Sequence, residues 1–248
     1  VVGPSLGKAA IQHGMNSIIG AFIVILLYMI FFYSRSAGTV ADIALVVNIF
    51  FLMGVMVSLN AVLTLPGIAG IVLTMGMAVD SNVLIFERIK EELRGGKTVK
   101  AAIAAGYKMA SSAIIDSNLT TLFAGIILFF FGSGPIKGFA STLVIGIVTS
   151  LFTSVLVSRL IYEWLLKKNV NLRFTAPYTA NWMHGKKVDF IGLRKYGYIF
   201  SGILMIVALV SLGTKGLSKG IDFTGGRNYV INFEKPVNTQ DIAKSLAA

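Results

Sequence analysis

Two aspartates lie within stretches of sequence that are otherwise long and apolar enough to cross a membrane. Asp80 follows residues 65–79, which carry no charge, and Asp116 lies in ASSAIIDSNLTTL. An aspartate at the centre of a spanning helix costs on the order of 3 kcal/mol, and such residues either pair inside a helical bundle or carry protons. We therefore predict that Asp80 is a proton carrier, with an interior hydrogen-bonding carboxylate as the alternative. For Asp116, a proton-relay role and a polar group near the interface stay equally open.

Small and polar residues accompany both aspartates. Asp80 is followed by Ser81 and Asn82, and Asn118 comes two residues after Asp116. Amide side chains can bond to neighbouring helices or line a wet cavity, so we expect these residues to support the site without doing the chemistry. Helical side chains lean toward the N-terminus, which places the Asp80 carboxylate over the turn of Gly76, where a glycine leaves room for water or a partner.

The composition is that of a membrane protein. The 248 residues are 55% hydrophobic and 13% charged, with a mean hydropathy of +0.79. The absence of cysteine excludes disulfides and thiol nucleophiles, and two distant histidines do not make a metal site, so we predict no metal and no cofactor. The net charge is +11, and the basic residues lie in short segments between apolar runs. This distribution indicates membrane topology and not nucleic-acid binding.

Six apolar runs have the length needed to cross about 30 Å of hydrocarbon. Each must satisfy its own backbone hydrogen bonds in lipid, which predicts six helices and an all-α polytopic membrane protein. Within the third run, Gly70, Thr74 and Ala78 recur every four residues and predict close approach of another helix. The six predicted spans are residues 17–33, 40–61, 66–86, 110–131, 139–164 and 198–213.

The positive charges predict how the spans are oriented. Arg35 and the segments 88–108 and 159–195 fall on one side, and that side is expected to be cytoplasmic because cytoplasmic loops carry the excess of Lys and Arg. Alternate threading of six spans then places residues 1–15 and 214–248 on the outer side. Both ends of the sequence are therefore predicted to be extracytoplasmic.

The segments between the spans have different patterns. Residues 87–109 repeat charge at helical spacing, with a break at Gly95-Gly96, and predict an amphipathic cytoplasmic connector. Residues 166–197 predict a cytoplasmic linker. After the last span, residues 229–233 read as a strand and residues 238–241 as a helix start, which predicts the beginning of an α+β extracytoplasmic domain.

Three motifs carry a resemblance to a known family. The stretch GMAVDSNVLIFERIKEELRGGKTVKAAIAAGYKMASSAIIDSNLTTL, residues 76–122, resembles the signature membrane region of SecD, an auxiliary subunit of bacterial protein export. The opening VVGPSLGKAAIQHG resembles the segment by which the outer domain of SecD returns to the membrane. Arg194-Lys195-Tyr196 before a span, followed by GLSKGIDFTGG, resembles the opening of SecF. Together they imply a fused SecDF-type polypeptide.

The resemblance implies an arrangement and a role. It implies the fold of the resistance-nodulation-division superfamily, in which two groups of six helices are related by pseudo-symmetry. Residues 1–15 would then end an outer domain, residues 16–165 would be five helices of the SecD-like group, and residues 198–213 would be the first helix of the SecF-like half. The aspartate of this motif, Asp80 here, is the proton-relay position of that family.

The function implied is promotion of the export of unfolded polypeptides through the SecYEG channel of the bacterial inner membrane, driven by the proton-motive force. Further partners would be YidC, YajC and membrane lipids, and no covalent catalysis is expected. Two alternatives stay open. One is a proton-coupled exporter of small molecules or lipids from the same superfamily, and the other is an assembly factor in which the aspartates serve only helix packing.

Overall fold

The computed structural model describes residues 4–176 and 191–218, and these residues are helical almost throughout. No strand occurs in those two ranges, so the predicted all-α fold is confirmed. The predicted strand at 229–233 and helix start at 238–241 lie outside the described residues. In chain order the elements are α1 Pro4–Tyr33, α2 Arg35–Ser58, α3 Leu65–Arg94, α4 Val99–Phe131, α5 Pro135–Leu151, a π-helix Phe152–Val157, α6 Ser158–Lys167 and α7 Arg194–Lys215.

The elements form six helices long and apolar enough to cross a membrane, because α5, the π-helix and α6 run on without a break over Pro135–Lys167. The six predicted spans are therefore confirmed in number and order. The chain divides into two compact units, Val1–His184 and Gly185–Ala248. The first unit contains α1 to α6, and the second contains α7.

The predicted connector, residues 87–109, is divided among the last turns of α3, a turn at 95–98 and the first turns of α4. α3 continues past its apolar part to Arg94, where ion pairs such as Lys90 Nζ to Glu87 Oε1 at 2.9 Å link successive turns. The predicted break is present, since α3 ends before Gly95 and Gly96 has a φ of 85°. The Thr98 hydroxyl then accepts a hydrogen bond from the backbone N–H of Ala101 and caps the start of α4.

Small residues bring α3 and α5 into close contact, as the spacing of Gly70 and Thr74 predicts. A Cβ placed on Gly70 would lie 3.3 Å from the Cβ of Thr142, and one placed on Gly138 would lie 3.0 Å from the Cβ of Thr64. Such approaches are possible only without side chains at the glycines, and they allow extensive van der Waals packing where lipid supplies no hydrophobic driving force. α3 is thereby fixed at the centre of the first unit, in contact with α1, α2, α4 and α5.

Aromatic rings form a cluster where α1, α3 and α6 end. The ring of Phe86 lies 5.3 Å from Tyr33, 6.1 Å from Tyr162 and 6.0 Å from Phe174, and Tyr162 lies 6.3 Å from Tyr107, all in edge-on or tilted orientations. All five side chains are buried. Edge-on aromatic pairs add about 0.5–1.5 kcal/mol beyond their burial. This end of the helices is therefore held by packing that extends beyond the spans into residues 171–176.

Candidate functional site

Asp80 lies on a narrow exposed stripe of an otherwise buried helix. Along α3 the exposed positions recur every three or four residues, so they share one face. The remaining faces pack against four other helices. From the start of α3 to Asp80 and one turn beyond, the exposed residues are Leu65, Ala69, Leu73, Gly76, Asp80 and Leu84. The carboxylate thus lies in an apolar stripe that no other helix of the first unit covers.

The space around Asp80 is open on its N-terminal side. A Cβ placed on Gly76 would meet no atom within 4 Å, so this glycine leaves room and is not packed against another helix. Gly76 lies on the exposed stripe and not on the α5 side of the helix, where Gly70 is found. The Asp80 carboxylate has no hydrogen bond and no ion pair within the described residues.

Asp116 is likewise exposed, on α4. Its backbone carbonyl accepts a hydrogen bond from Thr120 Oγ1 at 3.0 Å, and its carboxylate has no ion pair in the described part of the chain. The helix buries Ile114 and Asn118 on its other side. Asp116 is therefore available to a partner outside this group of helices.

The register of α3 against α4 relates the two aspartates. Ile89 contacts the backbone of Gly106, where a Cβ would lie 3.0 Å from the Ile89 nitrogen. Asp80 is nine residues before Ile89 and Asp116 is ten residues after Gly106, on helices joined by a tight turn and therefore antiparallel. At 1.5 Å per residue these offsets are about 13.5 and 15 Å, so the two carboxylates lie at nearly the same level along the hairpin.

The predicted supporting residues are buried beside the aspartates, and each bonds to its own helix. Ser81 Oγ donates to the Met77 carbonyl at 3.1 Å, and Asn82 Nδ2 donates to the Ala78 carbonyl at 3.2 Å. Asn118 Nδ2 donates to the carbonyl of Ile114 at 2.8 Å. The Asn82 Oδ1 is buried and has no partner among the described residues, so it retains one acceptor for water or a moving side chain.

Sequence reasoning missed a row of buried hydroxyls that passes through the π-helix. Each hydroxyl donates to a carbonyl three or four residues earlier, and Ser158 Oγ also lies 2.6 Å from the hydroxyl of Tyr107 on α4. Hydroxyls that bond back to helix carbonyls compete with the regular backbone hydrogen bonds. Here these hydroxyls accompany the π-helical turn. The signal in the sequence is their recurrence every three or four residues: Thr149, Ser150, Thr153, Ser154 and Ser158.

Asn48 on α2 was also missed. Its side chain is buried, and neither Nδ2 nor Oδ1 has a hydrogen-bond partner in the described ranges. Asp42 lies further toward the start of the same helix, and its buried Oδ1 has no partner among the described residues. An unsatisfied buried amide costs about 1–3 kcal/mol, so water or movement is expected near Asn48.

The described residues hold no cluster of three metal-ligating side chains.

These features define a class of protein: a multi-pass helical membrane protein with close-packed helices and exposed carboxylates that make no ion pair within the described residues. Residues 1–168 match the family model described as protein export membrane protein SecD/SecF, C-terminal, and residues 210–237 match the SecD/SecF GG motif. The chain belongs to the SecD/SecF family of protein export membrane proteins.

Among curated proteins, the chain is 56% identical over 165 residues to the protein translocase subunit SecD of Rhodothermus marinus and 54% identical over 173 residues to that of Endomicrobium trichonymphae. These matches cover 66% and 69% of the chain but only 26% and 36% of the relatives. The chain therefore corresponds to about a third or less of the length of either relative.

Among solved structures, the chain is similar to the crystal structure of SecDF, a translocon-associated membrane protein, from Thermus thermophilus. The TM-score is 0.90 at 37% identity, covering the whole chain and 34% of that protein. A structure of SecDF in its super-membrane-facing form gives a TM-score of 0.77 at 37% identity over 89% of the chain and 29% of that protein. At this identity the similarity extends beyond the fold to the family.

Proposed function

We propose that the chain is the membrane part of an auxiliary subunit of the Sec translocase that uses the proton-motive force to promote polypeptide export. It would act in the bacterial cytoplasmic membrane on unfolded polypeptides that pass through SecYEG, with YidC and YajC as further partners. The observation that carries the proposal is Asp80, an exposed carboxylate on the open stripe of α3 that makes no ion pair within the described residues. The names of the relatives support the translocase context.

Asp80 is the proposed proton carrier. A carboxylate on an apolar stripe is costly when charged, and a basic side chain on a facing helix would restore the charged form. Proton binding and release would therefore alter how tightly that helix packs on the stripe. The open space at Gly76 gives water or the partner access to the carboxylate.

Asp116 is proposed as a second member of the relay. Its level along the hairpin matches that of Asp80, and its carboxylate is also exposed. Ser81, Asn82 and Asn118 fill the buried side of the same level and hold the helix faces in place. No covalent step is needed, so the proposed protein is a transporter subunit and not an enzyme.

Movement of a charge through the membrane field supplies the driving energy. One elementary charge crossing 100 mV is worth about 2.3 kcal/mol, which biases an equilibrium between two packed states. The tight contact favours movement of α3 and α5 together as one body. At their glycines the two helices pack so closely that they have no room to slide past each other.

The proposal is tested in bacterial cells depleted of their own SecD and SecF and supplied with the full-length protein. Asp80→Asn preserves size and removes titration, so precursors of secreted proteins are expected to accumulate at normal levels of the variant. Asp42→Asn makes the same change on α2 and is the matched control, for which export should be retained. Full export by Asp80→Asn would favour an assembly factor in which the aspartate serves packing.

A further inference from the structure

A cavity of about 660 Å³ opens at the corner where α1 turns into α2. One wall is apolar and comes from the last turns of α1, including Leu27 and Phe31. The other wall is polar and comes from the corner itself and from the segment 171–176, including Arg35 and Arg173. The cavity is therefore divided into an apolar part and a cationic part.

The polar wall is held by hydrogen bonds between segments far apart in sequence. Ser36 Oγ donates to the Arg173 carbonyl at 2.6 Å and accepts from the Arg173 backbone N–H at 2.8 Å, and Ser34 Oγ donates to the same carbonyl. Leu172 and Phe174, on either side of Arg173, are buried in the core. Arg173 thus extends from a fixed backbone, and its place beside the α1–α2 corner is built into the fold.

The two arginines carry charge that nothing in the described residues neutralises. Both are exposed, and neither guanidinium makes an ion pair or a hydrogen bond within ranges 4–176 and 191–218. They lie on the side that the charge asymmetry assigns to the cytoplasm, where the membrane surface is anionic. Guanidinium groups bind phosphate through paired hydrogen bonds.

The apolar wall continues away from the arginines along α1. Val24, Leu27 and Phe31 are 66%, 63% and 64% exposed and lie three and four residues apart, so they form one stripe. At 1.5 Å per residue the stripe is about 10 Å long, or about two-thirds of the hydrocarbon of one leaflet. An acyl chain lying on it would place its headgroup at the cationic wall.

We propose that this cavity binds an anionic membrane phospholipid, with its phosphate between Arg35 and Arg173 and one acyl chain along the Val24–Leu27–Phe31 stripe. The inference is independent of the proton-relay role and rests on the proposed orientation of the spans. The division into a cationic end and an apolar stripe selects a lipid over a soluble anion. The same division disfavours an apolar protein helix, which would bury both arginines unpaired.

The test is native mass spectrometry of the full-length protein released from nanodiscs that contain equal parts of phosphatidylglycerol and phosphatidylcholine. The unmodified protein should retain phosphatidylglycerol, and Arg35→Gln with Arg173→Gln should lower its apparent affinity about tenfold, since loss of a charge-assisted contact has that scale. Arg94→Gln is the matched control, because Arg94 is also exposed and unpaired in the described residues but does not line the cavity.

Three results would overturn the proposal. The first is equal retention of phosphatidylglycerol by the double variant and by Arg94→Gln. The second is displacement of the lipid by soluble glycerophosphate at millimolar concentration, which would show a free-phosphate site without an acyl-chain contribution. The third is cross-linking of a photoreactive residue at Leu27 to another part of the full-length protein instead of to lipid, which would show that a protein segment fills the groove.

Discussion

The side chain of Thr74 in α3 occupies the space that a side chain on Gly146 in α5 would need. A Cβ placed on Gly146 would lie only 2.6 Å from the Cβ of Thr74, well inside van der Waals contact. Thr74 is fully buried and donates its hydroxyl to the Ile71 carbonyl at 2.9 Å, so it cannot move aside without losing that bond. The separation of the two central helices is therefore set at this pair.

Gly146→Ala is expected to push α5 away from α3. Overpacking of this kind costs about 1–3 kcal/mol of unfolding free energy, and the thermal unfolding midpoint of the full-length protein in detergent should fall accordingly. Gly54→Ala on α2 is the control, because a Cβ there meets nothing within 4 Å. Alanine also has the higher helix propensity, so the control should keep or raise its midpoint. Equal midpoints for the two variants would mean that α3 and α5 are not held this closely.

Two buried tyrosines provide a second comparison. The Tyr107 hydroxyl lies 2.6 Å from Ser158 Oγ, whereas the Tyr162 hydroxyl is buried without a partner in the described residues. Tyr107→Phe should therefore lower the unfolding free energy by about 1 kcal/mol, and Tyr162→Phe should leave it unchanged or raise it, because an unsatisfied group is removed. Thermal unfolding of both variants measures the difference. A larger loss for Tyr162→Phe would reveal a bound water or another partner at that hydroxyl.

The orientation of the spans can be tested with single cysteines, since the sequence has none of its own. Lys97 lies in the turn between α3 and α4, and Lys137 lies in the first turn of α5 at the other end of the helices. The positive-inside asymmetry predicts that an impermeant thiol reagent labels Lys137→Cys in intact cells and labels Lys97→Cys only after the membrane is opened. Labelling of Lys97→Cys in intact cells would reverse the topology.

Much of the fold is predictable from the sequence, because membrane spans and helix breaks depend on local composition. The charge-free run before Asp80 and the glycine pair at 95–96 predict a span and its end. The charge spacing from Glu87 to Arg94 predicts a helical surface connector, but ion pairs one turn apart stabilise an extension of α3 as well as a separate helix, so the continuation of α3 to Arg94 is not predictable from that spacing.

Other features depend on contacts distant in sequence and were not predicted. The docking of Arg173 on Ser36 joins residues 137 positions apart, and no local pattern indicates it. The π-helix over Phe152–Val157 departs from the α-helical pattern by a single inserted residue, which hydropathy cannot detect. For the candidate site, the sequence indicates Asp80 and Asp116, but the open stripe around Asp80 follows only from the packing of α3.

In the proposed mechanism Asp80 is protonated and deprotonated during export. The direct measurement is translocation of a secretory polypeptide into inside-out membrane vesicles that contain the full-length protein, with and without an imposed proton gradient. Asp80→Asn is expected to assemble normally and to abolish the stimulation by the gradient, because an amide does not titrate, while Asp42→Asn keeps it. Gradient stimulation of Asp80→Asn equal to that of the unmodified protein would contradict the account and leave Asp80 as a packing residue.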